Sequence, residues 1–420
     1  MKILHYSLGF PPERSGGLVH YVLDLMKEQK KQGQEVLLMY PGRRNFLNKK
    51  VYFKSGYREN IKYIELMNSL PLPLIGNIKS PNDFMRQGDK GVFKELLSEI
   101  HPEVIHIHTL MGLYKEFLEA ATELKIKLVF TTHDYFGISP NPKFYLNGYD
   151  FVDDDVYDIW NNVRQFGSST LKLNLSQMSF YPFLRKVVKM GKKNKEEKNV
   201  TSNWTQHQDL QFLSLKQYYH QMLNLLDVVL YNSNVSKNVY EKFIDTTVWE
   251  THVVHVTSNT IYQNGEVTLK SNKINAIAYI GPYTEEKGFT QYIKFAQKFL
   301  SRHPNSKAFV MGDDVNIQIK SLTNLGRYDK KSFVSYLKNI DLVILPSQWH
   351  ETFGLIGLET LSTATKILVT DCMGVADKLP YSLVVNKIEG VNIHLIEEQN
   401  FIIKIDDMQE HCKKILNIYK

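Results

Sequence analysis

Short apolar runs alternate with longer amphipathic stretches along most of the chain. Residues 2–7, 35–40, 62–66, 103–108, 127–131, 226–231 and 251–256 read as buried strands. Between them, residues 18–32, 93–100, 113–124 and a segment opening near Val235 carry apolar positions at helical spacing, as with Val19, Val22, Leu23 and Met26. A second series follows, with strands at 276–280, 307–311, 341–345 and 366–370 and helices at 290–300, 331–339 and 353–361. Strand–helix alternation of this kind predicts parallel βαβ units, hence an α/β fold of two doubly wound domains. The expected division is residues 1–265 and 274–405, with a polar linker over 261–273. Residues 406–420 form a last helix expected to return to the first domain. Alternation lapses over 140–215, a stretch rich in Asn, Tyr, Lys and Ser that reads as an insertion in the first domain.

Composition sharpens this picture in three ways. A length of 420 residues favours two cores over one. Only Cys372 and Cys412 occur, which excludes a disulfide framework and suits a reducing compartment. No apolar run reaches the ~20 residues of a membrane span, and the polar start Met1-Lys-Ile-Leu-His-Tyr-Ser does not read as a signal peptide. A cytoplasmic protein is expected, resting at most on the inner face of the cell membrane. The net charge of +7 is uneven: in 185–198, seven basic residues face two acidic ones, for +5. That window is either a solvated loop or an attraction to anionic lipid, with Phe180, Tyr181 and Phe183 able to enter the interface. Nucleic acid is not expected, for want of a recognition module.

The candidate chemistry gathers where doubly wound sheets bind ligands, beyond the carboxyl ends of strands. The richest stretch is 346–359, Pro-Ser-Gln-Trp-His-Glu-Thr-Phe-Gly-Leu-Ile-Gly-Leu-Glu. It places Gly354 in the first helical turn, between Glu351 and Glu359. Bare amides at a helix start meet phosphates, the glycine permits close approach, and carboxylates accept hydrogen bonds from vicinal hydroxyls. Taken singly, each glutamate is an ordinary helical acid; the string as a whole points to a nucleotide. Gly281-Pro-Tyr-Thr-Glu-Glu-Lys287-Gly288 is either a charged turn or a means of bringing an ammonium to a diphosphate. Gly16-Gly17 is a plain turn or a close-approach loop. His106 and His108 read as satisfied polar histidines, whereas His133, next to Asp134, reads as a sugar contact. No triad has zinc-like spacing, so no metal ligand is assigned. Asp153, Asp154, Asp155 and Asp158 are better read as helix-start acids than as a cation site, and Asp313-Asp314 as a turn.

In order along the chain, these pieces resemble retaining glycosyltransferases of the GT-B fold, family four. The resemblance is carried by Pro-Pro-Glu-Arg-Ser-Gly-Gly-Leu, Val-Ile-His-Ile-His, Thr-Thr-His-Asp-Tyr, Tyr-Asn-Ser-Asn-Val-Ser-Lys at 231–237, Tyr-Ile-Gly-Pro-Tyr-Thr-Glu-Glu-Lys-Gly and the two glutamates eight residues apart. It implies two Rossmann-like domains facing across a cleft, with the nucleotide-sugar on the C-terminal one and the acceptor on the N-terminal one. Glu359 would bind ribose hydroxyls and Glu351 the donor sugar. Amides of Phe353, Gly354 and Leu355 would hold the diphosphate, with Lys287 as counter-charge. Gly326-Arg327-Tyr328 would flank the base. His133 would face the transferred sugar, with Gly16 and Gly17 near the diphosphate, and His108 and Asp134 on the acceptor side. The implied reaction retains configuration, takes a nucleotide-sugar as substrate (a UDP-sugar favoured), and needs no cofactor or metal. Its acceptor would be a glycan, lipid-linked or protein-linked, in surface polysaccharide or glycoconjugate synthesis. The family pattern has Arg after Gly281, where this chain has Pro282. An Asn-Gly turn appears as Asn259-Thr260, and a Gly-Gly loop as Met373-Gly374-Val375. These departures leave open a non-catalytic subunit that binds a glycan or partner. A sugar-nucleotide epimerase on the same fold is a third reading.

Overall fold

The structure, a computed structural model, describes every residue except 46–49, 75–76, 176–203, 316–318 and 320. The basic window 185–198 and its neighbouring aromatics therefore lie outside the described residues. The chain divides into two compact units. The first comprises Met1–Tyr231, Val239–Val253 and Ile415–Lys420; the second comprises Asn232–Asn238 and Val254–Lys414.

The first unit is built on β1 (Lys2–Tyr6), α1 (Gly17–Lys31), β2 (Glu35–Pro41), β3 (Tyr52–Arg58), β4 (Ile61–Met67), α2 (Lys90–Ile100), β5 (Val104–Ile107), α3 (Lys115–Glu123), β6 (Lys127–Thr131), α4 (Leu210–Leu223), β7 (Val228–Tyr231), α5 (Asn234–Phe243), whose start up to Asn238 belongs to the second unit, and β8 (Glu250–Val253). Its eight strands run β8-β7-β6-β5-β1-β2-β4-β3. All pairings are parallel except β3 with β4. The central strands are buried along nearly their whole length, as a sheet covered on both faces requires. The sequence pattern misses β3 because its burial alternates irregularly and its Lys54, Ser55 and Gly56 break any apolar run. Within the expected insertion, Asp154 accepts from the Val156 and Tyr157 amides and Asp158 from Trp160, so these acids cap turns and a short helix.

The second unit holds β9 (Gly265–Leu269), β10 (Ala276–Ile280), α6 (Phe289–Arg302), β11 (Lys307–Met311), β12 (Thr323–Gly326), α7 (Lys330–Leu337), β13 (Leu342–Leu345), α8 (Leu355–Leu361), β14 (Lys366–Thr370), β15 (Val384–Val385), β16 (Phe401–Ile405) and α9 (Met408–Tyr419), whose end from Ile415 belongs to the first unit. Six parallel strands run β12-β11-β10-β13-β14-β15. Strand β9 corrects one expectation: the segment read as a polar linker pairs antiparallel with β16, burying Val267 and Leu269 against the protein. Polar residues alternate with apolar ones there, which is a strand with one wet face. Helix α8 starts two residues later than its apolar pattern suggests, at Leu355, because Gly354 takes φ 93° and cannot belong to a right-handed helix.

Candidate functional site

In the second unit, β10 and β13 are parallel neighbours, so the loops after them leave the same edge of the sheet side by side. Their backbones then touch. The Gln348 amide donates to the Glu286 carbonyl at 2.8 Å, and Gly288 passes so near Pro346 that a Cβ on it would lie 1.7 Å from the carbonyl oxygen. Gly288 also has φ 73°, a conformation that side chains oppose. This close crossing brings Lys287 to Glu351. The Lys287 ammonium lies 2.9 Å from the Glu351 carboxylate and 5.2 Å from the centre of the Trp349 ring. Glu351 is buried, and its backbone is fixed on both sides: its amide donates to Cys372 O and its carbonyl accepts from the Gly374 amide. A carboxylate so enclosed persists because its charge is paired. Gly374 is as tightly required as Gly288, since a Cβ there would lie 2.3 Å from Thr352 O.

The remaining predicted residues of this unit are placed as follows. Phe353 is buried against His255, with ring centres 6.0 Å apart. Gly354 and Leu355 form the start of α8. One turn further, Glu359 accepts hydrogen bonds from Ser258 and Thr260. The hydroxyl of Thr260, where an Asn-Gly turn was expected, thus holds the carboxylate in place. Tyr328 packs on Phe333 at 4.9 Å; burial foremost, and then the Glu359 charge, push its hydroxyl well above its ordinary pKa. Arg327 turns outward to a pair with Asp314 at 2.7 Å, both well exposed. Pro282 has no amide hydrogen, and its carbonyl accepts from Tyr279 at 2.6 Å.

In the first unit, Gly16 precedes α1 with φ 123°, and a Cβ there would meet nothing within 4 Å. The glycine is therefore set by backbone conformation over an open surface. His5 on β1 and His106 on β5 are register partners, so both side chains leave the same face of the sheet. His108 and His133 follow at the ends of β5 and β6. The sequence reading missed His5 altogether, along with Gln29 and Tyr419, which join the same cluster. Nothing local signals them: a single histidine in an apolar strand has no periodicity.

All six polar members are linked. The His106 Nε2 lies 2.7 Å from Thr131 Oγ1 and its Nδ1 2.6 Å from the Tyr419 hydroxyl. Gln29 Nε2 donates to that hydroxyl at 3.2 Å, and Gln29 Oε1 lies 2.7 Å from His5 Nε2. His5 Nδ1 lies 3.0 Å from His108 Nε2, and His108 Nδ1 lies 3.2 Å from His133 Nε2. His5, Gln29, His106 and His108 are fully enclosed. Burial lowers the His5 pKa to about 4 against the opposing Gln29 hydrogen bond. It lowers that of His108 further below its ordinary value, with His106, His5 and His133 adding to the effect. These imidazoles are neutral at physiological pH. His108, expected on the acceptor side, has no exposed surface in this structure. Asp134 is half-buried, accepts from the Phe136 amide at 2.9 Å, and is pushed up to about 7 by burial. Tyr21 on α1 packs its ring 4.8 Å from that of His133.

Ligand atoms of His5, His106 and His108 lie within 4.8 Å of one another, close enough to suggest a metal. The hydrogen bonds oppose it, because each nitrogen of these three rings already faces a polar partner. No helix among the described residues is long and apolar enough to cross a membrane.

Comparison with known proteins agrees with this architecture. A 42.6 kDa protein in the cps region of Klebsiella pneumoniae is 23% identical over 338 residues, covering 78% of this chain and 71% of that one. A glycosyltransferase of Methanocaldococcus jannaschii is 27% identical over 118 residues, covering 26% of this chain and 30% of its own. Among solved structures, α,α-trehalose 6-phosphate synthase of Burkholderia multivorans has TM-score 0.52 at 10% identity, covering 100% of this chain and 92% of that one. HepE of Anabaena, solved in complex with UDP, has TM-score 0.51 at 12% identity, covering 99% and 89%. Both neighbours share the fold. Residues 15–164 match the family described as Glycosyltransferase Family 4, and residues 263–380 match Glycosyl transferases group 1. The chain is therefore a family 4 glycosyltransferase of the GT-B fold.

Proposed function

We propose that this protein transfers a sugar from a nucleotide-sugar, a UDP-sugar favoured, to a glycan, lipid-linked or protein-linked acceptor in surface polysaccharide synthesis, with retention of configuration and without a metal. The observation that carries the reading is the Lys287–Glu351 pair, held beside Gly354 by two crossing loops at the strand ends of the second unit. A buried carboxylate paired to a half-exposed ammonium is a device for meeting a sugar hydroxyl on one side and a diphosphate on the other. On departure of the nucleoside diphosphate, the Lys287 charge and the amides of Phe353, Gly354 and Leu355, which lead into α8, would take up the developing negative charge. Glu359, steadied by Ser258 and Thr260, would accept from the ribose. Same-face attack by the acceptor hydroxyl through an oxocarbenium-like state, with its proton passing to the departing diphosphate oxygen on that face, then needs no protein nucleophile. His133 would contact the transferred sugar. The cps region named for the Klebsiella relative supports the polysaccharide context. UDP in the HepE complex supports the choice of nucleotide.

Thermal shift across UDP, GDP, ADP and their sugars tests this directly, because a ligand bound only by folded protein raises the melting point. A UDP-sugar should raise it and be turned over with EDTA present. Loss of turnover in EDTA would overturn the metal-free reading. Pro282 favours a second reading, a glycan- or partner-binding subunit without catalysis, since it stands where the family resemblance leads one to expect an arginine. Absence of donor hydrolysis with every nucleotide-sugar would decide for that subunit.

A further inference from the structure

Helix α6 buries Tyr292, Ala296 and Phe299 and carries no acidic residue. On another face Lys294, Lys298 and Arg302 follow one another at four-residue spacing, all exposed, so their charges stand in a row about 6 Å apart. Like charges at this spacing repel, and a surface helix ordinarily answers them with acids one turn away. None of the three forms an ion pair among the described residues. The helix dipole accounts for Arg302, which lies in the last turn, and leaves Lys294 and Lys298 unexplained.

The row borders a cavity of about 490 Å³, in the size range of ligand sites, whose opposite wall is the loop from Glu389 to His394. Its apolar lining is Phe295 and Phe299 from the helix, and Val391 and Ile393 from the loop. Glu389 is the single acid that these three cations meet in the lining. The groove is separate from the Lys287–Glu351 pair. Phe289 starts the helix two residues after Lys287, and Arg302 ends it 13 residues later, about 20 Å away at 1.5 Å per residue.

Shape and charge together select the occupant. Cations strung in a line over about 12 Å suit a chain that repeats its negative charges, whereas a lone phosphate calls for cations that converge. The hollow, with its apolar base, admits a strand; a flat bilayer would reach only the rim. Phe295 is half-buried and leaves part of its ring open, a face against which the C–H side of a sugar can lie. We propose that this groove binds a stretch of acidic glycan, its acid groups meeting Lys294, Lys298 and Arg302 while a sugar ring rests on Phe295. The binding stands on the groove itself; its use, to keep a growing polymer on the enzyme, rests on the function proposed above.

The test is fluorescence anisotropy of a short, end-labelled oligogalacturonate with the full-length chain, beside a dextran oligosaccharide of equal length, inorganic polyphosphate and phosphatidylglycerol vesicles. The acidic oligosaccharide should bind and the dextran should not. Lys294→Ala combined with Lys298→Ala should weaken binding about tenfold at low salt and flatten its salt dependence. Glu389→Gln should tighten it about threefold, because an opposing charge is withdrawn. These three residues are exposed, so the variants should fold and keep the same thermal shift with UDP. Phe295→Leu keeps apolar bulk but loses the ring; it should weaken oligogalacturonate and leave polyphosphate unchanged. Four results would overturn the proposal: no binding of oligogalacturonate, dextran bound as tightly, unchanged affinity in the double lysine variant, or vesicles bound through these lysines in place of the oligosaccharide. Oligogalacturonate held equally well by Phe295→Leu would reduce the groove to a bare charge attraction and overturn its reading as a glycan site. Glycan binding by a chain that transfers no sugar would sink the functional reading alone.

Discussion

The two halves of the candidate machinery use opposite physics. In the second unit, Lys287, Glu351 and Glu359 are charged, and their fixing contacts come from loops leaving neighbouring strands or from one turn of the preceding segment. In the first unit, His5 and His108 are enclosed and held below the ordinary imidazole pKa by burial, and His106 between them, equally enclosed, is tied to a residue as far off in sequence as Tyr419. Charge left partly wet can meet a phosphate; neutral rings held dry can only orient. The charged candidate residues therefore sit in loops and in a short helix, and the enclosed histidines sit on and beside the sheet.

Variants can break this contrast. The largest effect is expected from Lys287→Ala, which leaves Glu351 as an unpaired buried carboxylate and withdraws the cation beside the leaving diphosphate. Transfer should fall by two to about three orders of magnitude in single-turnover assays. Near-normal transfer would move the diphosphate elsewhere. Gly288→Ala comes next, because its Cβ would meet Pro346 O at 1.7 Å from a φ of 73°. We expect about 3 kcal/mol lost in urea unfolding, with the loops pushed apart and nucleotide affinity lowered in parallel. Stability lost without any change in affinity would uncouple the crossing from the site.

Glu359→Ala should weaken nucleoside diphosphate binding by about 2 kcal/mol in calorimetric titration, the weight of a charged hydrogen-bond partner. Equal titrations for the variant and the unmodified chain would remove Glu359 from the ribose. The smallest effect tests the neutral half. Burial raises the Asp134 pKa from 3.8 to about 7, so the folded chain binds this proton more tightly than the unfolded one. Its contribution to stability is present below pH 3.8 and is lost as pH rises through about 7. Asp134→Asn cannot titrate. It should match the unmodified chain near pH 4 and exceed it by about 1 kcal/mol above pH 7, a discounted figure because the residue is half-buried. Parallel stability curves across that window would mean that the carboxylate is well solvated.

The same contrast decides what the sequence could reveal. Strands β1, β6, β10, β11 and β14 stand where their apolar runs put them, because a strand buried on both faces writes its burial locally. Glu351, Gly354 and Glu359 were legible as one string for a similar reason, being separated by turns of a single loop and helix. Strands β3 and β9 were not, since each leaves a face to water and interleaves polar residues. Lys287 was legible as a charged turn, but its partner was not, because their meeting depends on which strands are neighbours. The histidine chain was the least legible: Gln29 and Tyr419 lie 390 positions apart and no spacing rule joins them.

That separation also governs how the first unit can be made. Residues 415–420 complete its core, yet they emerge from the ribosome only after every residue of the second unit. A nascent chain must therefore wait with His106 uncovered until this segment arrives. A fragment ending at Val253 would keep the same wound, and adding a peptide of residues 408–420 would be the natural means of healing it.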